Sequence, residues 1–140
     1  MEPVALLVDA GPLYASIDAD DAHHPECLAL LTNHPGPLAV PALAVAEVAW
    51  LVGARLGPEP EVRFLGDLAA RTLVTVQVED DDWLRIAELV SRYRDLPLGT
   101  VDASIVAAAE RLGITTLATL DRRHLGVVRP AHVAAFELVP

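Results

Sequence analysis

Apolar residues fall along this chain in short runs and in helically spaced stripes, and the two patterns alternate. Val4 to Val8 is a compact apolar run that predicts a strand, and the Gly-Pro break at 11 and 12 leads into a short helix, Pro12 to Ile17. A polar, acidic loop from Ala19 to His24 precedes a helix that opens on proline. It covers Pro25 to Asn33, with Cys27, Leu28, Leu30 and Leu31 as its apolar positions, and HPGP at 34 to 37 ends it. Leu38 to Val40 predicts a second strand. Alanine and leucine content predicts a helix over Ala42 to Leu56, stopped by Gly57-Pro58. A further helix, Glu59 to Arg71, carries Val62, Leu65, Leu68 and Ala69 as one stripe.

The β-branched run Leu73 to Val78 predicts a strand, and EDDD at 79 to 82 opens a helix to Tyr93 whose first-turn acids complement its dipole. LPLG at 96 to 99 is a loop, after which Thr100 is placed to cap a helix through Leu112 that Gly113 terminates. Thr115 to Ala118 predicts another strand, Asp121 to Leu125 a short helical turn, and Ala135 to Val139 a last strand. Strands alternating with helices at this spacing predict an α/β fold with a mainly parallel sheet covered on both faces. No repeat, linker or low-complexity segment interrupts the pattern, so one domain over 1–140 is expected, long enough to enclose a core without disulfides.

Composition agrees with a folded domain, at 53% hydrophobic residues, and Cys27 is alone, which excludes an intrachain disulfide. The first residues lack the basic-then-apolar layout of a signal peptide, so a cytoplasmic location is expected. The stretch PGPLAVPALAVAEVAWLVGA, residues 35 to 54, carries a single charge, yet its three prolines and its central Glu47 predict a buried strand-turn-helix rather than a membrane span. The net charge of −10 comes with ten arginines and no lysine. That balance is awkward for a protein gripping nucleic acid by a basic face. The absent lysine also removes P-loop nucleotide hydrolysis, Schiff-base catalysis and a phospho-acceptor receiver site.

Candidate chemistry lies in the acids. Asp9 follows the apolar run ALLV and Asp121 follows TTLATL, which places both at carboxyl ends of strands, where open parallel sheets bind ligands. Each could equally be the N-cap of the helix that follows. Glu47 lies inside AVAEVAWLV, where Leu43, Ala46, Trp50 and Leu51 share its face at helical spacing. It is either a paired core acid or a functional one. Asp102 occupies the first turn of TVDASIVAAAERLG, where dipole complementation alone would account for it. Four carboxylates converging in one cleft would repel one another unless protonated or neutralised by a divalent cation. Oxygen ligands suit Mg²⁺ or Mn²⁺. The five histidines are scattered, with no HExxH and no paired cysteines, which argues against zinc.

In LLVDAGPLYA, PALAVAEVAWLVGARLG, LPLGTVDASIVAAAERLG and LATLDRRHL, taken in that order and spacing, the chain resembles the PIN-domain ribonucleases, and among them the VapC toxins of bacterial toxin–antitoxin pairs. The resemblance implies a three-layer α/β/α domain in which Asp9, Glu47, Asp102 and Asp121 form an acidic site for Mg²⁺, with Mn²⁺ as a substitute. Thr119, two residues before Asp121, would turn its hydroxyl the same way. The family often has a hydroxyl residue two places after the first aspartate, where this chain has Gly11. The implied reaction is metal-assisted hydrolysis of RNA to a 5′-phosphate and a 3′-hydroxyl. The metal would then supply the positive potential that the side chains lack. The implied partners are RNA, a VapB-like antitoxin and a second copy in a homodimer.

Arg122 and Arg123 either contact RNA phosphates or are solvated on a surface turn. Trp50, Leu51 and Leu56, with Val62, Leu65 and Leu68, either meet partners or belong to the core. The competing function is a non-catalytic PIN-like module that binds RNA or protein, and the presence of all four acids counts against it. A phosphotransferase using Asp9 as nucleophile would need an acid at position 11 and a lysine, and the chain has neither.

Overall fold

A computed structural model describes residues 5–140. Its elements are β1 (Leu6–Val8), α1 (Ala10–Ile17), α2 (His24–Asn33), β2 (Leu38–Pro41), α3 (Ala42–Leu56), α4 (Pro58–Ala69), β3 (Val74–Val76), α5 (Asp80–Arg92), α6 (Thr100–Leu112), β4 (Thr116–Ala118), α7 (Arg122–Leu125) and β5 (Glu137–Val139). The strands form one five-stranded sheet in the order β3-β2-β1-β4-β5, and every neighbouring pair is parallel. Parallel neighbours require crossovers, and the crossovers place helices on the faces of the sheet. The pleat divides the core accordingly. Leu6 and Val8 face a cluster with Leu13, Ala44, Val48, Val52 and Phe64, whereas Leu7 faces Ile86, Leu89, Ile105 and Val106. The expected three-layer α/β/α arrangement is therefore present.

The predicted start of the first strand at Val4 lies outside the described residues. Helix α3 has the predicted bounds, and Gly113 ends α6 in the left-handed conformation (φ 70°) that glycine adopts without a Cβ clash. Other expectations need correction. Gly99, not Thr100, is the N-cap of α6, and no side chain caps that end. Helix α4 runs from Pro58 to Ala69 rather than from Glu59 to Arg71.

The buried stripe of α3 is Ala44, Val48 and Val52, one residue out of phase with the predicted face, and Trp50 is 71% exposed. An alanine- and valine-rich helix is apolar nearly all round, so periodicity alone could not choose the face. On α4 only Phe64 is buried, while Val62 and Leu65 stand in solvent. α3 and α4 approach closely at Gly53, where a Cβ would lie 2.8 Å from Glu61 Oε1. No described helix is long and apolar enough to cross a membrane.

Candidate active site

The chain moves from β1 to β2 and β3 on one side, then returns to β4 on the other side of β1. The strand order therefore reverses between β1 and β4, and a crevice opens at their carboxyl ends. Val8 pairs with Ala118 across this seam, and the Asp9 N–H donates to the Ala118 carbonyl at 2.9 Å. Asp9 and Thr119 are thereby brought side by side, although 110 residues separate them.

Asp9 is buried, and each of its oxygens has a donor. Oδ1 accepts from the Ala10 N–H at 2.7 Å as the N-cap of α1, and Oδ2 accepts from Thr119 Oγ1 at 2.8 Å. The Thr119 oxygen in turn accepts from the Asp121 N–H at 3.0 Å. One buried hydroxyl thus ties the first acid to the last, and the hydroxyl missing at Gly11 has a substitute from the other end of the chain. Asp121 caps α7 by accepting from the His124 N–H at 2.9 Å, so the capping roles are real at both strand ends. They do not exhaust the carboxylates. Asp9 and Asp121 join Glu47 of α3 and Asp102 of α6 in lining one open cleft of 540 Å³, completed by Ala10, Gly11 and Leu120. A second hollow of 440 Å³, edged by Ile17 of α1 and Pro60, Arg63, Phe64 and Asp67 of α4, gathers no comparable set of acids.

All five sequence-predicted residues therefore meet at one place. Glu47 reaches it for a reason opposite to the expected one, because it lies off the buried stripe and is exposed to the cleft. The electrostatics reflect crowding of like charge. Asp102 is pushed from the ordinary aspartate value of 3.8 up to about 6, first by burial and then by Asp9 and Asp121, with His124 opposing. Burial raises Asp9 against the pull of its Thr119 and Ala10 hydrogen bonds, and Asp121 raises it further. Glu47 is raised by burial and by Asp9. No arginine lines the cleft. Oxygen donors that converge, repel and have no guanidinium to offset them fit a divalent cation, and Asp9, Glu47, Asp102 and Asp121 are the residues that could hold one.

Sequence patterning missed His124. Its ring Nδ1 lies 2.8 Å from Asp121 Oδ2, and one of its ring nitrogens groups with Asp102 and Asp121 oxygens all within 4.8 Å. The available signal was its position three residues after Asp121, one helical turn away. The two arginines between them differ in their surroundings. Arg122 donates to the Leu138 carbonyl at 3.5 Å and to the Pro140 carbonyl, while Arg123 is exposed with no hydrogen bond or ion pair among the described residues.

Comparison with known proteins gives a consistent set. Residues 6–129 match the family model for the PIN domain. The chain is 30% identical over 135 residues to ribonuclease VapC26 of Mycobacterium tuberculosis, a match covering 96% of this chain and all of that protein. Among solved structures it is similar to VapC20 of Mycobacterium tuberculosis, described as a toxin that cleaves the sarcin-ricin loop. The TM-score there is 0.79 at 20% identity, over 92% of this chain and 98% of that one. It is also similar to VapBC2 from Rickettsia felis bound to a DNA fragment from its promoter, at a TM-score of 0.68 and 16% identity, over 98% of this chain and all of that one.

Proposed function

Because this chain belongs to the PIN-domain family, we propose that it is a VapC-type ribonuclease toxin, which hydrolyses RNA phosphodiester bonds at the acidic cleft and is restrained by a cognate VapB-like antitoxin. The observation that carries this is the convergence of Asp9, Glu47, Asp102 and Asp121 in one open cleft that no arginine lines. Asp9, Asp102 and Asp121 would hold a divalent cation, Mg²⁺ or Mn²⁺. When bound, such an ion polarises the scissile phosphate and lowers the pKa of the attacking water. Thr119 fixes the spacing of Asp9 and Asp121 through its hydroxyl. Glu47, exposed to the cleft but partly stripped of water at its wall and raised further by Asp9, is suited to orient the attacking water and take its proton, or to add a ligand. Arg123 is free to meet an RNA phosphate at the rim, whereas Arg122 is engaged with β5 and the residue that follows it.

A protein partner, either the antitoxin or a second copy in a homodimer, would cover Trp50, Val62 and Leu65 on the α3–α4 hairpin, which the core leaves in solvent. The test is RNA cleavage by the wild type and by Asp9→Asn, each with and without Mg²⁺. Cleavage that requires the ion and falls by about a thousandfold or more in the variant is expected. Metal-independent cleavage, or full activity in Asp9→Asn, overturns the mechanism. Calorimetric titration with Mn²⁺ separates the rival, since a binding module that has lost its site takes up no ion.

A further inference from the structure

We propose that His124 is a direct nitrogen ligand of the cation in this cleft and makes the site prefer Mn²⁺ to Mg²⁺. The proposal rests on the cleft being a metal site. A ring nitrogen of His124 and one oxygen each of Asp102 and Asp121 lie within 4.8 Å of one another. An ion bonding at about 2.1 Å holds adjacent donors about 3 Å apart and opposite donors about 4 Å apart, so the three can close around it with small side-chain shifts. Nδ1 already stands 2.8 and 3.0 Å from the two oxygens of Asp121.

The imidazole is not a loose surface group. Its backbone N–H is bound to Asp121 Oδ1, its carbonyl accepts from Val127 and Val128, and the next residue, Leu125, is anchored in the core. The other histidines whose ring contacts are defined point elsewhere: His23 to Glu26, His24 to the Ala15 carbonyl and His132 to the Ile114 carbonyl. Among the described residues His124 alone joins two carboxylates in a group of possible metal ligands.

The chemistry of the donor set gives the direction of selectivity. Mg²⁺ demands hard oxygen ligands and gives up its waters reluctantly, so an imidazole adds little to its binding. Mn²⁺ stands at the weak end of the first-row series and is itself content with carboxylates. As a larger, less strongly hydrated transition ion, however, it takes an imidazole nitrogen better than Mg²⁺ does, so the same nitrogen adds more to its binding. Metal-free, the ring has a second use: as a hydrogen-bond donor it holds Asp121 in place. A histidine with only that second use would position Asp121 for either ion alike, and this is the alternative the experiment must separate.

The full chain, stripped of metal by a chelator, is titrated with Mn²⁺ alone and with Mg²⁺ alone, and pulsed electron paramagnetic resonance is recorded on bound Mn²⁺. The wild type is expected to show coupling to a directly coordinated ¹⁴N nucleus, and His124→Ala and His124→Gln to lack it. The Kd for Mn²⁺ should rise about tenfold or more in both variants, while that for Mg²⁺ changes by less than about threefold. Gln retains a side-chain donor to Asp121, and thermal melts of both variants in metal-free buffer report folding. Bound Mn²⁺ without nitrogen coupling in the wild type overturns this inference but leaves the metal site standing, and it does so even if both variants unfold. Coupling that persists in the variants, or equal weakening of both ions, also overturns it. No uptake of Mn²⁺ by the wild type overturns the metal site itself and the inference with it.

Discussion

Helix α6 carries two acids with opposite fates. Glu110, near its carboxyl end, accepts two hydrogen bonds from Arg85, at 2.8 Å each, and a third from the Ala131 N–H at 2.7 Å. One turn of α5 away, Asp82 meets Arg111 at 3.2 Å and accepts the Glu79 N–H at 2.9 Å. Asp102, in the first turn of the same helix, faces Asp9, Asp121 and Glu47, and no arginine lines its cleft. The consequence is visible in proton affinity. Burial works to raise Glu110, but Arg85 and the Ala131 N–H outweigh it and hold the group below its ordinary value, whereas Asp102 is raised to about 6. The chain has ten arginines to place. Two of them neutralise these paired acids, and among the described residues none lines the cleft.

The largest disturbance of this contrast is to give the cleft the cation that the other site has. Leu120 lines the cleft at its partly exposed rim. Leu120→Arg is expected to weaken Mn²⁺ binding and to slow RNA cleavage by about a hundredfold or more, because a fixed guanidinium occupies the potential an ion would use. Calorimetry and cleavage assays check it, with circular dichroism unchanged. The reverse experiment removes the partner from the structural site. Arg85→Ala leaves Glu110 partly buried without its guanidinium and is expected to destabilise the fold by about 2 kcal/mol in urea titration.

A smaller effect, of opposite sign, is expected at Asp102. Its folded value of about 6 exceeds the ordinary 3.8, so the folded state holds the proton more tightly, and stability falls as pH rises through that window. In metal-free buffer Asp102→Asn should therefore stabilise the protein by about 1–2 kcal/mol at pH 8, an amount that allows for solvent screening, and by nothing measurable at pH 3.5. Urea titrations at the two pH values check the difference, and saturating Mn²⁺ should abolish it. The smallest change is Gly11→Ser. A Cβ there meets Leu120 at an ordinary 3.6 Å, and Thr119 already serves Asp9, so stability should move by less than about 0.5 kcal/mol.

Much of this was legible in the residue pattern because it depends on local physics. The short apolar runs marked β1, β2 and β4, glycine and proline marked the ends of α3 and α6, and strand-end carboxylates marked the crevice. What depends on distant residues was not. The buried face of α3 is chosen by the sheet it packs on, which is why Glu47 was expected on an apolar stripe and proved to stand off it. The exposure of Val62 and Leu65 depends on how α4 leans on α3. The pairing of Arg85 with Glu110 joins residues 25 positions apart, and no periodicity encodes it. His124 escaped notice because a four-residue helix is too short to show a stripe, although the one-turn spacing from Asp121 was in plain view.

The seam between β1 and β4 also has a consequence for timing. Asp9 precedes Thr119 by 110 positions, so a ribosome makes the first acid of the cleft long before it makes Thr119 and Asp121. A nascent chain that has not yet released β4 has three of the four acids, Asp9, Glu47 and Asp102, but lacks Asp121 and the Thr119 hydroxyl that ties Asp9 to it. The four-acid cleft therefore exists only once β4 has paired with β1 and Asp121 has followed it, which makes completion of the site one of the last events in building this domain.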